Sequence, residues 1–333
     1  MSPAVSVVLP FRHAQATLHQ AIESIATQSH REWELLLVAN DAGQEETRIA
    51  SEWCRLDPRI RLVREDRPGI AYALERGLSE ATAHYIARMD ADDISHPRRL
   101  EEQVAYMERF PDIGVLGTRT TFRSTVTRSE GMRTFVDWQN ALLTPEQHYL
   151  KRFVDAPLAH PTVMFRSELV ERYGGYATGP LPEDHELWLR WMHQGVRFAK
   201  LPGELLTWND HPQRLSRTHA NYSTEAFFTT KARWIAAWYR RTFPEGHPVI
   251  IAGTSPLCRS RAELLAAEGL PIRAFTDVRE RPLPGHRFIP HTDLPGPGEA
   301  LIISLISQRG TGERIAAFLN GRGLREGRDH LLA

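Results

Sequence analysis

Short apolar segments in the first 90 residues constrain the fold more than any other feature of this chain. Residues 5–11 and 33–40 are almost continuously apolar, strand-like segments with interspersed charged residues follow at 59–65 and 84–90, and stretches with apolar residues at helical spacing separate the four. Continuous apolar runs of this length are typical of strands that are buried on both faces of a parallel sheet. We therefore predict a doubly wound α/β sheet, in which ligands bind beyond the carboxyl ends of the strands.

The last third of the chain repeats this alternation on a smaller scale. FPEGHP, at residues 243–248, has the composition of a linker. The length of 333 residues suits two domains. We predict a first domain over residues 1–245, which includes a long helix at about 223–242, and a small Rossmann-like α/β domain over residues 247–333.

The turn after the first strand of that small domain reads AGTSPLC. A dinucleotide-binding turn carries three glycines, and only Gly253 is present here. An NAD-dependent oxidoreductase acting through this domain is therefore disfavoured, and we expect a structural or partner-docking role.

The composition argues against several classes of protein. The 41 Lys and Arg residues balance 41 Asp and Glu residues, so no net charge attracts nucleic acid or anionic lipid. No apolar run approaches the roughly 18 to 20 residues of a membrane span. Cys54 and Cys258 are far apart in the sequence and are expected to be buried thiols.

These observations predict a cytoplasmic protein. The helix at 223–242 has aromatic residues at helical spacing, which usually pack in a core. Peripheral attachment of this helix at the inner face of the membrane is an alternative. The formation of homo-oligomers is left open.

Asp90, Asp92 and Asp93 form the most informative cluster, because three carboxylates follow directly on a buried strand. Carboxylate oxygens are ligands that Mg²⁺ and Mn²⁺ prefer, and Mg²⁺ sites usually combine them with substrate phosphates. The alternative is that Asp92 and Asp93 only cap the following helix, for which Ser95 is another candidate N-cap.

Five ordered motifs resemble those of the family 2 inverting glycosyltransferases, which have the GT-A fold. They are VSVVLPFRHAQATLHQAIESIATQSHREWELLLVAND, PGIAYALERGLSEATAHYIARMDADD, HPTVMFR, PEDHELWLR and RLSR. The resemblance covers residue 5 to about residue 220. It implies a GT-A-type doubly wound mixed sheet, followed here by the small Rossmann-like domain.

The resemblance also implies an activity. A hexosyl or N-acetylhexosaminyl group would pass from a nucleotide-sugar, UDP-linked in the favoured case, to a hydroxyl of a glycan or lipid-linked glycan, as in cell-surface polysaccharide synthesis. Mn²⁺ or Mg²⁺ would be the cofactor. The rival interpretation is a noncatalytic sugar-nucleotide-binding or scaffolding protein on the same fold.

Matching the motifs residue by residue assigns the nucleotide side of the site. Asp41 corresponds to the carboxylate that recognises uracil, although a turn residue beside Gly43 is the alternative. Pro10, Phe11 and Arg12 correspond to the loop that lines the nucleoside. Two positions depart from the family pattern: Asn40 stands where many members have Asp, and Glu75 where many have Asn.

The same matching assigns the metal side. Asp90 corresponds to the residue near the ribose and the metal, Asp92 to the direct metal ligand, and Ala91 lies between them in the motif. Asp93 would support these two residues. His211 would be a further metal ligand, or a polar loop residue. Two arginines could neutralise diphosphate oxygens, with a solvated surface as the alternative for the second: Arg214 and Arg217.

On the acceptor side, Asp184 corresponds to the general base of an inverting reaction. Glu183 could hold that role instead, and an acidic pair that only begins a helix is the remaining alternative. His160 and Trp188 are assigned to the acceptor side.

Overall fold

The computed structural model describes residues 3–279, 283, 285–306 and 310–333. The chain divides into two compact units. The first comprises Met1–Tyr149 and Ala156–Tyr222, and the second Leu150–Asp155 and Ser223–Ala333. The second unit includes the long helix that the sequence pattern placed in the first domain. The boundary expected between residues 245 and 247 stays a prediction.

The first unit is built on an eight-stranded mixed sheet. Its strands are β1 Val5–Phe11, β2 Trp33–Asn40, β3 Ile60–Glu65, β4 Tyr85–Arg88, β5 Ile94–Ser95, β6 Ile113–Ser124, β7 Met164–Arg166 and β8 Arg197–Asp210. The order across the sheet is β3-β2-β1-β4-β7-β6-β8-β5. The neighbours β3, β2, β1 and β4 are parallel, and β7 is antiparallel to both β4 and β6. The predicted α/β class and mixed sheet are confirmed.

Helices flank this sheet and connect its strands. They are α1 Leu18–Ala26, α2 Gln44–Leu56, α3 Ile70–Glu80, α4 Arg99–Arg109, α5 Glu130–Ala141, α6 Pro145–Lys151, α7 Glu168–Tyr173, α8 Glu183–His193 and α9 Leu215–Thr218. Short 3-10 turns cover His160–Thr162 and Ala220–Tyr222.

The start of α4 differs from the prediction that Ser95 caps it. Ser95 belongs to β5, where it pairs with Leu206 of β8. The helix begins at Arg99, and the side chain of Gln28 accepts a hydrogen bond from the backbone N–H of Leu100 at 3.0 Å. A residue distant in sequence therefore supplies the acceptor that the local pattern assigned to serine.

The side chains of β1 alternate between two hydrophobic cores. Val5, Val7 and Leu9 enter the core on the face of α1 and α2, whereas Val8 enters the core on the face of α3 and α8. All four are fully or almost fully buried. Burying one such side chain contributes about 1.5 to 3 kcal/mol. The sheet is thus held from both faces, as a continuous apolar run predicts.

The second unit contains a four-stranded parallel sheet in the order β10-β9-β11-β12. Its elements are α10 Thr224–Thr242, β9 Val249–Ala252, α11 Pro256–Ala267, β10 Ile272–Thr276, β11 Leu301–Ser304, α12 Thr311–Gly321 and β12 His330–Leu332. The sequence pattern predicted all of these except β12, which has only three residues. The strand–helix alternation of a small Rossmann-like sheet is confirmed.

The turn after β9 is closed by contacts with α11 and with the residue that follows β10. Gly253 has φ +118°, and a Cβ there would lie 2.6 Å from Sγ of Cys258. The backbone N–H and the hydroxyl of Thr254 both donate to the carboxylate of Asp277, at 3.0 and 2.7 Å. Cys258 is buried as expected, whereas Cys54 is only partly buried. Among the described residues, we find no helix with the length and apolar character needed to cross a membrane.

Candidate active site

The carboxyl ends of β1, β2 and β4 bring several predicted residues to one edge of the sheet. The parallel register pairs Phe11 with Ala39 and Val8 with Arg88. Arg12 and Asp41 follow β1 and β2 and form an ion pair at 2.6 Å. Asp41 has φ 54°, in the left-handed region that Asp tolerates better than most residues. Arg12 and Asp41 therefore lie together at the edge where a doubly wound sheet binds ligands.

Pro10 and Phe11 differ from the expectation that they belong to the loop after β1. Both are residues of the strand, and both are buried. Only the exposed Arg12 begins the loop. A role of Pro10 and Phe11 in lining a nucleoside stays a prediction.

Asn40 fixes the neighbouring loop, which explains an amide at this position. Its Nδ2 donates to the carbonyl oxygens of Glu65 and Arg67 at 3.0 and 2.7 Å. Its Oδ1 accepts from the backbone N–H of Gly69 at 2.9 Å. A carboxylate cannot donate, so Asp at this position would lose two of these three bonds. Glu75, the other departure, accepts a hydrogen bond from the backbone N–H of Tyr176.

The three carboxylates after β4 converge. One oxygen from each of Asp90, Asp92 and Asp93 lies within 4.8 Å of the others. Asp90 is bonded to two guanidinium groups, to Arg88 at 2.5 Å and to Arg214 at 3.1 Å. Burial raises the pKa of Asp90, but the charges of Arg88 and Arg214 outweigh burial and hold it below its usual value.

Asp93 is the buried member of the cluster. Its Oδ1 accepts from the backbone N–H of Asn209 at 2.8 Å and lies 3.5 Å from Nη1 of Arg214. Its buried Oδ2 accepts no hydrogen bond from any residue that the structure describes. Burial raises the pKa of Asp93 well above its usual value, although Arg214 opposes the shift.

Asp92 is partly exposed and contacts the other predicted metal ligand, His211. Its Oδ2 lies 2.9 Å from Nε2 of His211, so the predicted pair of metal ligands is in contact. The cluster offers carboxylate oxygens as hard ligands and Nε2 of His211 as a nitrogen ligand. Oδ2 of Asp93 is also available, because it accepts no hydrogen bond from the residues that the structure describes. These groups fit a divalent cation such as Mn²⁺ or Mg²⁺. Arg217 instead forms a bidentate pair with Asp210, with both distances at 2.7 Å.

The second acidic group begins helix α8. Glu183 is 3% exposed, and the hydroxyl oxygen of Tyr222 lies 2.8 and 2.7 Å from its two carboxyl oxygens. Burial and the adjacent Asp184 raise the pKa of Glu183 to about 8. Asp184 is only partly buried. The pair therefore consists of one buried carboxyl that retains its proton readily and one that solvent can reach.

His160 and Trp188 lie next to each other, with ring centroids 5.9 Å apart. Nε2 of His160 is 2.8 Å from the hydroxyl of Tyr176. Burial and the charge of Arg88 hold the pKa of His160 well below its usual value, so the ring is neutral. Trp188 is fully buried and packs edge to face against His160. Their assignment to the acceptor side stays a prediction.

Arg88 and Tyr222 link the two acidic groups electrostatically. Arg88 is influenced by the charges of both Asp90 and Glu183. Burial, and then the charges of Glu183, Asp184 and Asp90, raise the pKa of Tyr222 well above its usual value. The structure therefore places both acidic groups around one site.

The family model for Glycosyl transferase family 2 matches residues 6–174. The chain belongs to this family. The glycosyltransferase AmsE of Erwinia amylovora, named for amylovoran biosynthesis, is 31% identical over 61% of this chain and 74% of its own length. EpsE of Bacillus subtilis (strain 168), provisionally named a glycosyltransferase, is 33% identical over 67% of this chain and 79% of its own length.

Solved structures share the fold of this glycosyltransferase. TarS residues 1–349 of S. aureus, in complex with UDP-GlcNAc, has a TM-score of 0.57 and 16% identity over 80% of this chain and 71% of that chain. The mannosyltransferase PcManGT of Pyrobaculum calidifontis, in complex with GDP-Man and Mn²⁺, has a TM-score of 0.50 and 20% identity over 80% of this chain and 71% of that chain. The predicted GT-A-type fold is confirmed.

Three residues of this glycosyltransferase site were missed by sequence reasoning. Arg88 carried a signal, because an arginine inside a buried strand requires an acidic partner and Asp90 is two residues away. Tyr176 and Tyr222 carried none. They contact His160 and Glu183, and the second of these contacts joins residues 39 positions apart.

Proposed function

We propose that this glycosyltransferase moves a hexosyl or N-acetylhexosaminyl group from a UDP-sugar to a hydroxyl of a glycan acceptor, with inversion at the anomeric carbon. The observation that carries the proposal is the arrangement of two acidic groups around Arg88. One group is neutralised by arginines, and the other contains a carboxyl whose pKa is raised to about 8. The name of AmsE suggests that the product belongs to polysaccharide synthesis.

The donor side is proposed at the edge formed by β1, β2 and β4. Asp41 can accept the N3–H of uracil, and Arg12 holds its carboxylate at 2.6 Å. The related fold of TarS holds UDP-GlcNAc, whereas that of PcManGT holds GDP-Man. The choice of uracil therefore depends on Asp41, which makes the base the first feature to test.

Asp92, His211 and Asp90 would hold a divalent cation, with Asp93 beneath them. The cation would offset the negative charge of the diphosphate as it leaves the sugar. PcManGT binds Mn²⁺ together with its donor on a similar fold. Arg214 and Arg88 supply further positive charge on the protein side.

Asp184 is proposed as the general base. The acceptor hydroxyl would give its proton to the Asp184 carboxylate while its oxygen forms a bond to the anomeric carbon. The bond from that carbon to the diphosphate oxygen breaks in the same step, and UDP departs with the electron pair. One base suffices, because a single displacement needs no covalent glycosyl-enzyme. Glu183 is the weaker candidate, because it is buried and bonded to Tyr222.

The rival proposal is a noncatalytic protein that binds sugar nucleotides. Both proposals predict donor binding, whereas only the enzyme has a use for a partly exposed carboxylate beside a buried one.

The second unit, with a domain boundary near residue 246, is proposed to have a structural or docking role. The backbone N–H of Thr254 in the turn after β9 already donates to Asp277, and this turn has only one of the three glycines that an NAD-binding turn carries.

A thermal-shift panel tests the proposal directly. UDP-sugars, GDP-sugars, UDP and GDP are each added with and without Mn²⁺. A ligand at 100 times its Kd should stabilise the protein by about 2.7 kcal/mol. We expect stabilisation by uridine nucleotides only, and only with the cation. UDP release from the stabilising donor, in the presence of a glycan acceptor, then separates an enzyme from a binding protein. Stabilisation by GDP alone would contradict the assignment of Asp41.

A further inference from the structure

A single short segment, residues 209–222, contacts both acidic groups. His211 lies 2.9 Å from Asp92, and Tyr222 lies 2.7 Å from Glu183. Between them, Arg214 is 9% exposed and bonded to the carboxylate cluster. Its Nη1 donates to the backbone carbonyl of Asn209 at 2.7 Å, and its guanidinium lies over the ring of Trp208, 4.6 Å from the centroid. Arg214 is therefore held in a defined position.

Arg214 occupies the place beside Asp90 and Asp93 that a metal ion would also need. Nη2 of Arg214 lies 3.1 Å from Oδ2 of Asp90, and Nη1 lies 3.5 Å from Oδ1 of Asp93. The other oxygen of Asp90 is bonded to Arg88. Each oxygen of Asp90 therefore already faces a guanidinium group, so a cation that binds Asp90 is repelled by a positive charge close by.

When no donor is bound, the balance of charges favours the arginine over a divalent cation. Two guanidinium groups face three carboxyl groups, so at most one negative charge is left uncompensated. A divalent cation that entered alone would create an excess of positive charge in a poorly solvated place. A diphosphate would reverse the balance, because its negative charges can accept both the cation and a guanidinium.

We propose that Arg214 is a built-in counter-cation that excludes a divalent ion from Asp90 until the donor arrives and then binds the donor's diphosphate. The proposal rests on the proposed function, because it takes a nucleoside diphosphate as the ligand. It makes cation binding strongly dependent on the nucleotide. It also assigns Arg214 two opposite effects, one on the ion alone and one on the ion with nucleotide.

Mn²⁺ titrations test this proposal without measuring activity. Free Mn²⁺ is followed by electron paramagnetic resonance, first without nucleotide, and UDP affinity is then measured at saturating Mn²⁺. We expect Arg214→Gln to bind Mn²⁺ alone at least about tenfold more tightly than wild type, because a repelling charge is gone. The same variant should bind UDP with Mn²⁺ about tenfold more weakly, because it loses a charge-assisted hydrogen bond.

Two variants serve as controls. Arg217→Gln changes an arginine of the same segment that bonds to Asp210, so it should change either affinity by less than about threefold if the charge of Arg214 is the cause. Arg214→Met still covers Trp208 and repeats the test with different packing, in case the glutamine variant does not fold.

The outcomes are separable. Unchanged or weaker binding of Mn²⁺ alone in the Arg214 variants would overturn the proposal, as would equal effects from Arg217→Gln. Equal affinity of the wild-type protein for Mn²⁺ with and without UDP would overturn it without any variant. If the wild-type protein bound no UDP at any Mn²⁺ concentration, the proposed function itself would fail.

Discussion

Asp90 and Glu183 are carboxyl groups near the same arginine, yet their pKa values move in opposite directions. Burial raises the pKa of both. Asp90 is bonded to two guanidinium groups, and its pKa falls. Glu183 is bonded to a hydroxyl and lies beside Asp184, and its pKa rises to about 8. Burial acts in the same direction on both groups, so the difference between them comes from their charged partners.

This contrast separates two tasks within one site. The Asp90 carboxylate keeps its charge beside two guanidinium groups, and the cluster around it suits a cation and a diphosphate. The pair at Glu183 and Asp184 suits the handling of a proton, because one carboxyl retains a proton and its neighbour is partly exposed to solvent. The predictions below test whether the two groups really behave differently.

The largest effect is expected from Asp184→Asn. The amide keeps the shape of the side chain but cannot take the acceptor proton, so turnover should fall by about 10² to 10⁴-fold. UDP affinity, measured by calorimetry with Mn²⁺, should change by less than about threefold. Glu183→Gln is the matched variant and should lose less than about tenfold. The reverse ranking would move the base to Glu183.

A smaller effect is expected from Asp92→Asn at the other acidic group. Ion-dependent UDP affinity should fall by about a hundredfold, because the loss of a residue that only supports a metal ligand already costs about tenfold to a hundredfold. Asp137→Asn, on the exposed side of α5, is the control and should leave the affinity unchanged. If Asp92→Asn bound UDP with Mn²⁺ as wild type does, the cation would have other ligands.

Sequence reasoning anticipated the Asp90 cluster better than the Glu183 pair, for a physical reason. The three carboxylates are contiguous and follow a buried strand, so local pattern alone indicates their position. Arg88, which lies within that strand, could also have been found locally. The raised pKa of Glu183 depends on burial by the folded chain and on Tyr222, 39 residues away. No local pattern encodes either.

The fold also has some features that local sequence determines and others that contacts between distant residues determine. The continuous apolar run of β1 predicted its burial on two faces, because successive side chains of a strand point to opposite faces. The start of α4 was wrongly assigned to Ser95, because pairing with β8 and the side chain of Gln28 decide it. The short strand β12 was missed, because three residues are too few to show a pattern.

The third effect concerns stability. Below about pH 4.5 both the folded and the unfolded states keep the Glu183 proton, and above about pH 8 both lose it. Between these values only the folded state holds the proton, so stability at this site falls as pH rises. Glu183→Gln cannot lose a proton, so its Tm advantage over wild type should grow from pH 5 to pH 8 and then level off. Glu171→Gln, at an exposed position, is the control. Parallel Tm curves would show that Glu183 titrates normally.

The smallest effect is expected from Tyr222→Phe, and it probes why Glu183 keeps its proton. The Tyr222 oxygen lies 2.8 and 2.7 Å from the two carboxyl oxygens, but a hydroxyl can donate only one hydrogen. If Glu183 is ionised, this one hydrogen is shared between its two oxygens; if Glu183 is protonated, its own O–H can donate to the Tyr222 oxygen. The variant should lose about 1 kcal/mol of stability, typical of a single hydrogen bond.

Because the Tyr222 hydrogen bond lowers the pKa of Glu183, that pKa should rise further in the variant. The infrared carbonyl band of a protonated carboxyl measures this: it should disappear near pH 8 in wild type, at higher pH in Tyr222→Phe, and be missing in Glu183→Gln. A band that disappears at lower pH in Tyr222→Phe would mean that the hydroxyl stabilises the proton, and the contrast with Asp90 would then depend on Tyr222 as much as on burial.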